Sequence, residues 1–319
     1  MKKLYIAILS VVFSLVGNSV WANNPVENLK VEENNGASTT YYINAPRFVR
    51  PLIEKWITEY KKVEPHANFA IAKTAANKSK SALNIQLAET PSQSDLTQKT
   101  VYFAEYAILP IAGKDSEAAK TLGKQELNSK SIKSLFFEKD DFEDADKNGK
   151  KAAAYVVYTG NSSQSVAPEF ASHYGKDASN FRGKRIVGDD QFLNTAIAKD
   201  SHGIAFNAIS NIYDLQTRQL KSELALLPLD VDKNQRAAFA EGATLDDVIK
   251  VLEANKGNNI PVERVGFSFQ DNDTNVSNFI AWILSQGETY NHEFGLLRLD
   301  AKLVAQQVKT LSEHLTAQK

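Results

Sequence analysis

The sequence predicts an α/β fold, because two kinds of periodic run alternate along most of its 319 residues. Short apolar runs typical of strands are followed by amphipathic runs typical of helices, beginning with the runs 41–44 and 48–62. The chain has no cysteine, so its stability must come from a packed core, and its length is sufficient to build one.

The predicted elements succeed one another without an internal repeat or a linker rich in proline and glycine. A charged loop is predicted at 139–151. The predicted strands are 41–44, 68–72, 101–111, 152–158, 185–187, 203–206, 224–227 and 264–269, and the predicted helices are 48–62, 131–137, 166–174, 191–198, 244–254, 277–285 and 301–315.

The first residues have the pattern of a secretory signal peptide. Lys2 and Lys3 precede the apolar run 4–16, and Val20-Trp21-Ala22 supplies acceptable residues at a cleavage site before Asn23. We expect residues 1–22 to be removed and residues 23–36 to form a flexible leader. No later run reaches the roughly 18–20 apolar residues of a membrane-spanning helix. The sequence therefore predicts a soluble periplasmic or secreted protein without a lipid anchor on cysteine.

The charge balance argues against polyanionic partners. The chain has 37 Lys and Arg against 38 Asp and Glu, a net charge of −1, and removal of Lys2 and Lys3 leaves 35 against 38, a net charge of −3. The basic residues are interleaved with acidic ones, as on a solvated globular surface. We therefore expect the chain to bind neither nucleic acid nor an anionic membrane.

Searches for catalytic and metal-binding motifs find none. The five histidines are scattered, no serine lies in a G-x-S-x-G motif, and no nucleotide-binding glycine motif is present. Residues 144–149 begin like a calcium loop, but Tyr155 stands where the closing glutamate is needed. The sequence predicts a protein that is not an enzyme and has no cofactor and no metal.

A cluster of hydroxyl residues, 158–165, lies between a predicted strand and a predicted helix. Backbone N–H groups at the start of a helix attract anions, and neighbouring hydroxyls add directional donors. The segment therefore qualifies as a site for a phosphate-like group or a carboxylate. The same residues are also common helix caps and turn formers, so a purely structural role remains open.

Several motifs in order resemble the periplasmic phosphate-binding proteins of bacterial ABC importers. They are Arg47-Phe48-Val49-Arg50-Pro51-Leu52 with Trp56 and Tyr60, Ser162-Ser163-Gln164-Ser165, Gly203-Ile204-Ala205-Phe206, Pro228-Leu229-Asp230, the segment 276–287, and Gly295-Leu296-Leu297. The resemblance spans most of the chain after residue 36. It implies a two-lobed periplasmic-binding-protein type 2 fold with a ligand cleft between the lobes. Domain I would comprise 37–107 and 207–319, and domain II would comprise 108–206.

The resemblance also implies a set of ligand-binding residues, with departures from the family pattern. Thr159 stands where the family has an arginine that grips the anion, Gln164 replaces a loop glycine, and Arg47 replaces a threonine. Arg47 either restores the missing cation from the opposite lobe or faces water. Glu89 matches a family aspartate that accepts the proton of monohydrogen phosphate, or it is a surface residue after a strand. The expected ligand-binding residues are Arg47, Phe48, Glu89, Thr159, Ser162, Ser163 and Ser165.

The resemblance implies a monomeric binding protein that captures inorganic phosphate or a similar oxyanion for an ABC permease. Losing a hydrogen bond from a charged group costs about 1.5–3 kcal/mol, so the change to Thr159 predicts weaker phosphate capture unless Arg47 compensates. Two alternatives stay open. One is a scaffold or adhesion protein that has kept the fold and lost the ligand, and the other is a binder of an organic anion.

Overall fold

A nine-stranded mixed sheet organises the chain. The computed structural model describes residues 39–87, 98–138, 154–255, 259–270 and 273–317. The predicted signal peptide, the leader, Glu89 and the charged loop 139–151 lie outside the described residues. The strands are β1 Tyr41–Asn44, β2 Phe69–Ile71, β3 Ser81–Leu87, β4 Gln98–Gly113, β5 Val156–Gly160, β6 Lys184–Ile186, β7 Gly203–Ala208, β8 Leu224–Leu226 and β9 Val262–Gln270.

Helices connect most of these strands, as the alternating pattern predicts. The described residues also form four short 3-10 helices, at Ala178–Asn180, Ala237–Phe239, Gly287–Tyr290 and His292–Phe294. The described α-helices are α1 Arg50–Val63, α2 Ala75–Lys78, α3 Glu117–Leu122, α4 Ser129–Phe136, α5 Ala167–His173, α6 Gln191–Ala198, α7 Ile209–Ile212, α8 Lys233–Arg236, α9 Leu245–Ala254, α10 Thr274–Ser285 and α11 Ala301–Ala317.

The long strand β4 connects two groups of strands. The order across the sheet is β2-β1-β3-β9-β4-β7-β5-β6, and β8 also pairs with β4. Over its 16 residues β4 pairs antiparallel with β9 as far as Ala107 and with β7 from Ile108 onward. The predicted boundary after residue 107 falls at this change of partner. Because residues 38–319 form one compact unit, the division into two domains stays a prediction.

Two elements differ from their predicted limits near the candidate site. The strand predicted to end at Tyr158 continues to Gly160, because Thr159 and Gly160 pair with Arg185 and Ile186 of β6. The first helix begins at Arg50, two residues later than predicted, since residues 47–49 form a turn. Arg47 and Phe48 therefore belong to the loop after β1.

Trp56 fixes α1 in the core beside β4 and β9. Its indole is fully buried, its ring meets Phe103 edge-on at a centroid distance of 4.8 Å, and its Nε1–H donates to the carbonyl of Gly287 at 2.7 Å. A Cβ on Gly287 would lie 2.9 Å from that nitrogen, so this contact needs a glycine. Trp282 is also buried. Both tryptophans therefore pack in the core.

A second cluster of aromatic rings fixes α4 and α5 against β7. Phe170 of α5 stacks on Phe206 of β7 with ring centroids 3.9 Å apart and planes 3° apart, and Phe136 of α4 meets both rings. Such ring pairs stabilise a fold by about 0.5–1.5 kcal/mol, in addition to the stabilisation from the apolar area that they bury. Because α5 is held in this way, the turn that leads into it from β5 is held as well.

The two tryptophans offer a matched test of the core. Replacing Trp56 with Phe removes volume and leaves the Gly287 carbonyl without its partner, whereas Trp282 Nε1 is buried without a hydrogen-bond partner among the described residues. We expect Trp56→Phe to lower the free energy of unfolding by about 2–4 kcal/mol and Trp282→Phe by about 1–2 kcal/mol. Urea denaturation measures both. Equal losses would contradict the assigned role of the Trp56 hydrogen bond.

Candidate ligand site

The candidate site lies where the loop after β1 meets two loops of the β5 side of the sheet. Gln164 Nε2 donates to Asn44 Oδ1 at 3.1 Å, and Arg47 Nε lies 3.7 Å from Asp189 Oδ2. The loops after β1 and β5 both begin at the carboxyl ends of parallel strands, where ligands commonly bind in α/β proteins. The structure thus places the end of β1 in contact with the turn 161–165, and Arg47 beside the loop that precedes α6.

Arg47 is the cation of this site. Its side chain is 48% exposed, and its guanidinium lies 5.8 Å from the ring centroid of Phe192. The 3.7 Å separation from Asp189 is longer than a hydrogen bond, so the guanidinium keeps donors for another acceptor. Phe48, by contrast, is buried, and its ring packs on Tyr106 at 5.3 Å. Phe48 therefore anchors the loop that carries Arg47.

The segment 161–165 forms a compact turn with one exposed hydroxyl residue. Ser165 N–H donates to the Ser162 carbonyl at 3.0 Å, and Gln164 N–H donates to Ser162 Oγ at 3.3 Å. Ser165 is buried, and its Oγ accepts from Ala167 N–H at 3.2 Å. Ser163 is exposed, and Ser162 is partly exposed. Ser162 and Ser163 are therefore the hydroxyl residues of the turn that face solvent.

Thr159 and Glu89 lie apart from that exposed surface. Thr159 is 1% exposed within β5, so its side chain supports the strand from inside. Glu89 is outside the described residues. The assignment of a ligand to Arg47, Phe48, Glu89, Thr159, Ser162, Ser163 and Ser165 stays a prediction.

Asp190 is the site residue that sequence reasoning missed. Its Oδ2 accepts a hydrogen bond from Val166 N–H at 2.8 Å, directly before α5, and Asn207 Nδ2 donates to its carbonyl at 2.8 Å. A Cβ on Gly160 would clash with Asp190 Oδ1. The Asp190 carboxylate thus accepts the hydrogen bond of Val166 N–H, one of the N–H groups that were expected to attract an external anion. The Asp189-Asp190 pair before α6 was visible in the sequence, but nothing there indicated which loop it reaches.

Three acidic groups and one tyrosine influence one another electrostatically in this part of the structure. We call Tyr106, Glu169, Asp190 and Glu263 the Tyr106 cluster. Tyr106 and Glu263 are paired residues of β4 and β9, Glu169 lies in the first turn of α5, and Asp190 precedes α6. Tyr106 OH, Glu169 Oε2 and Asp190 Oδ1 are buried without a hydrogen-bond partner among the described residues.

Burial sets the protonation of this cluster. It raises the pKa of Glu169 to about 7, and the charges of Glu263 and Asp190 add to that rise. Burial also raises the pKa of Asp190 to about 6, although hydrogen bonds from Val166 N–H and from the Ser165 side chain oppose the increase. The pKa of Tyr106 is raised well above its ordinary value by burial and then by the charges of Glu169, Glu263 and Asp190.

Two surface cavities lie elsewhere on the described structure. One of about 440 Å³ is lined by residues that include Asp230, Arg236 and Asn259, and one of about 740 Å³ by residues that include Lys114 and Tyr213. Neither is lined by Arg47 or by the turn 161–165. Within the described ranges no three His, Cys, Asp or Glu side chains are grouped to hold a metal ion, and no helix there is both long and apolar enough to span a bilayer.

The fold is similar to those of two solved phosphate-transport binding proteins. A putative phosphate ABC transporter substrate-binding protein with bound phosphate from Clostridium perfringens has a TM-score of 0.58 at 14% identity, with 82% of this chain and 100% of that chain covered. An ABC-type phosphate transport receptor from Vibrio cholerae has a TM-score of 0.51 at 12% identity, with 81% and 100% covered. No protein-family model matches the chain, and a search of curated proteins also found no match. The predicted two-lobed type 2 fold is confirmed.

The raised pKa of Glu169 predicts how stability depends on pH. A carboxyl whose pKa is higher in the folded protein stabilises the fold when protonated, and that contribution is lost as pH rises from about 4.5 through about 7. We expect the melting temperature of the ligand-free protein to fall over this range, and to fall less in Glu169→Gln. Scanning calorimetry at pH 5, 6, 7 and 8 measures the difference. Glu117→Gln, at an exposed residue of α3, controls for the loss of one acid, and identical slopes in wild type and Glu169→Gln would refute the prediction.

Proposed function

We propose that the chain is an exported solute-binding protein that holds phosphate or a related oxyanion between Arg47 and the turn 161–165 and delivers it to an ABC permease in the periplasm. The observation that carries the proposal is the position of Arg47. Its guanidinium is half exposed and only loosely paired, at the point where the β1 loop approaches the loops of the β5 side. The shared fold with two phosphate-transport binding proteins supports it.

In this proposal each predicted site residue has a defined part. Arg47 supplies two parallel N–H donors to the oxyanion, and the partly exposed Ser162 and the exposed Ser163 supply hydroxyl donors. Phe48, Thr159 and Ser165 support the two loops from inside, in agreement with their burial. Glu89 keeps its predicted part as an acceptor for a protonated oxyanion. The chain performs no catalysis and needs no cofactor.

Asp189 and Asp190 define the electrostatic cost of binding. Both carboxylates lie close to the proposed anion, one beside Arg47 and one at the start of α5. Like charges repel each other. The proposed site should therefore bind an anion more weakly than a site in which no carboxylate of the protein accepts from the N–H groups at the helix start. Ligand would stabilise the arrangement in which both loops engage it, with β4 and β7 as the strands that connect the two predicted domains.

Substitution of Arg47 tests the proposal directly. Arg47→Lys should weaken phosphate binding by roughly tenfold, because an ammonium does not reproduce the two parallel donors, and Arg47→Ala should weaken it further. Calorimetric titration with phosphate and sulfate measures the affinities, and the melting temperatures without ligand should stay nearly unchanged. Arg236→Lys is the matched control, because Arg236 is similarly exposed and paired with Glu126 far from the proposed site. Full phosphate affinity in Arg47→Ala would assign Arg47 to the surface.

A ligand-free scaffold is the second candidate, and the position of Asp190 favours it. A carboxylate of the chain already accepts from the N–H before α5, so the fold does not need an external anion there. A ligand bound only by the folded state raises its melting temperature by mass action. If neither phosphate, sulfate nor simple phosphate esters raise the melting temperature at millimolar concentration, the scaffold function replaces the proposed one.

A further inference from the structure

The cavity of about 740 Å³ lies between α3, β8 and the segment 239–243. Its volume is in the range of small-molecule sites in proteins, which is about 300–1,000 Å³. Apolar side chains form much of its lining, and they include Leu224, Leu226, Leu229 and Phe239. The cavity can therefore bury the apolar part of a small molecule.

Tyr213 contributes a polar group to the wall of this cavity. It directly follows α7, it pairs with Leu220 in an isolated β-bridge, and only 1% of it is exposed. Its hydroxyl forms no hydrogen bond with any described residue, although a buried tyrosine hydroxyl usually has a partner. Burial and then the charge of Asp247 raise the pKa of Tyr213 to about 12, so the hydroxyl is protonated at neutral pH. The wall of the cavity thus offers a hydrogen-bond donor that lacks an acceptor.

Lys221 brings a positive charge to the same wall. Its Nζ donates to the carbonyl of Asn211 at 2.7 Å, and Asn211 belongs to α7, the helix that ends directly before Tyr213. One carbonyl uses one of the three donors of an ammonium. Among the described residues no carboxylate forms an ion pair with Lys221, and the nearby Asp214 accepts from Thr217 instead. The ammonium of Lys221 therefore keeps donors for an anionic acceptor.

The charged residues of the lining differ in exposure. Lys221 is partly buried, whereas the others are exposed, namely Lys114, Asp115, Lys120, Glu126, Arg236 and Glu241. Arg236 lies 2.9 Å from Glu126, and the side chain of Glu241, which lies 3.9 Å from Lys114, is 94% exposed. The charge that a buried ligand meets is therefore the positive charge of Lys221.

We propose that this cavity is a second ligand site, which binds an amphiphilic carboxylate with its charged end at Tyr213 and Lys221 and its apolar chain along β8. A carboxylate has two oxygens that only accept, so it matches two neighbouring donors of which one is charged. An alcohol pairs with the hydroxyl but leaves the ammonium without a counter-charge. Inorganic phosphate has no apolar part to fill the cavity.

The second site is independent of the proposed oxyanion site. Neither Arg47 nor the turn 161–165 lines this cavity, and Tyr213 and Lys221 lie beyond β7 in the chain. Binding at the two sites can therefore be separated by substitutions in one site at a time.

A matched pair of ligands tests the inference. Octanoate and 1-octanol have chains of the same length, and only octanoate carries a negative charge. In calorimetric titrations of residues 23–319 at pH 7.5, we expect octanoate to bind with a dissociation constant of about 1 mM or lower, at least about tenfold more tightly than 1-octanol.

Substitutions in the wall of the cavity assign the binding to it. Tyr213→Phe and Lys221→Met should each reduce the preference for octanoate several-fold, and Ala119→Trp, which fills part of the cavity, should weaken both ligands. Tyr60→Phe is the control for the hydroxyl, because it removes a hydroxyl without a described partner from a residue that does not line the cavity. Lys120→Met is the control for the charge, because Lys120 is an exposed lining residue. Both controls should keep the preference.

The possible outcomes are distinct from those for the oxyanion site. No saturable binding of octanoate, or equal affinities for octanoate and 1-octanol, would overturn the inference. Loss of octanoate binding in Arg47→Ala, or its displacement by phosphate, would move octanoate to the oxyanion site and overturn it as well. Octanoate binding that persists in Arg47→Ala supports the second site even if phosphate does not bind. Tyr213→Phe removes a hydroxyl without a described partner and should fold, so it decides the question if Lys221→Met does not fold.

Discussion

The strand β4 is the constraint on which the rest of the structure depends. It is the one described strand with three antiparallel partners, β9, β7 and β8, and its pairing passes from β9 to β7 between Ala107 and Ile108. Among the described strands, β2, β1, β3 and β9 connect to β7, β5 and β6 only through it. Tyr106 lies two residues before Ile108, where the pairing with β7 begins, so its backbone is held close to the junction of the two groups of strands.

Asp190 determines the electrostatics of the neighbouring turn. The Asp190 carboxylate accepts a hydrogen bond from Val166 N–H, and the Asp190 backbone carbonyl accepts one from Asn207 Nδ2. Because Gly160 has no side chain, it leaves space for the carboxylate. A carboxylate at a helix start is a stable arrangement, because the N–H groups and the helix dipole favour negative charge there. The same arrangement reduces the attraction that this turn has for an external anion. The positive potential of the site then rests on Arg47, which belongs to the opposite loop.

Most of the fold was predictable from the sequence, because strands and helices depend on local periodicity. The strand 41–44 and the helix 191–198 have the predicted limits, and the order of motifs indicated the type 2 fold. The two loops of the candidate site were also identified. The partners within the site were not, since Asp190 reaches Val166 across 24 residues and Gln164 reaches Asn44 across 120. Such contacts follow from the relative positions of packed elements, which periodicity does not specify.

The contacts between the loops are weak enough for a ligand to replace them. An exposed ion pair contributes about 0.2–1 kcal/mol, and the 3.7 Å separation of Arg47 and Asp189 places this pair at the lower end of that range. The hydrogen bond from Gln164 to Asn44 joins two uncharged side chains, and a hydrogen bond of this kind contributes roughly 0.5–1.5 kcal/mol to stability. A charge-assisted bond from Arg47 to an oxyanion is stronger than either contact. Binding therefore has to overcome mainly the repulsion from Asp189 and Asp190.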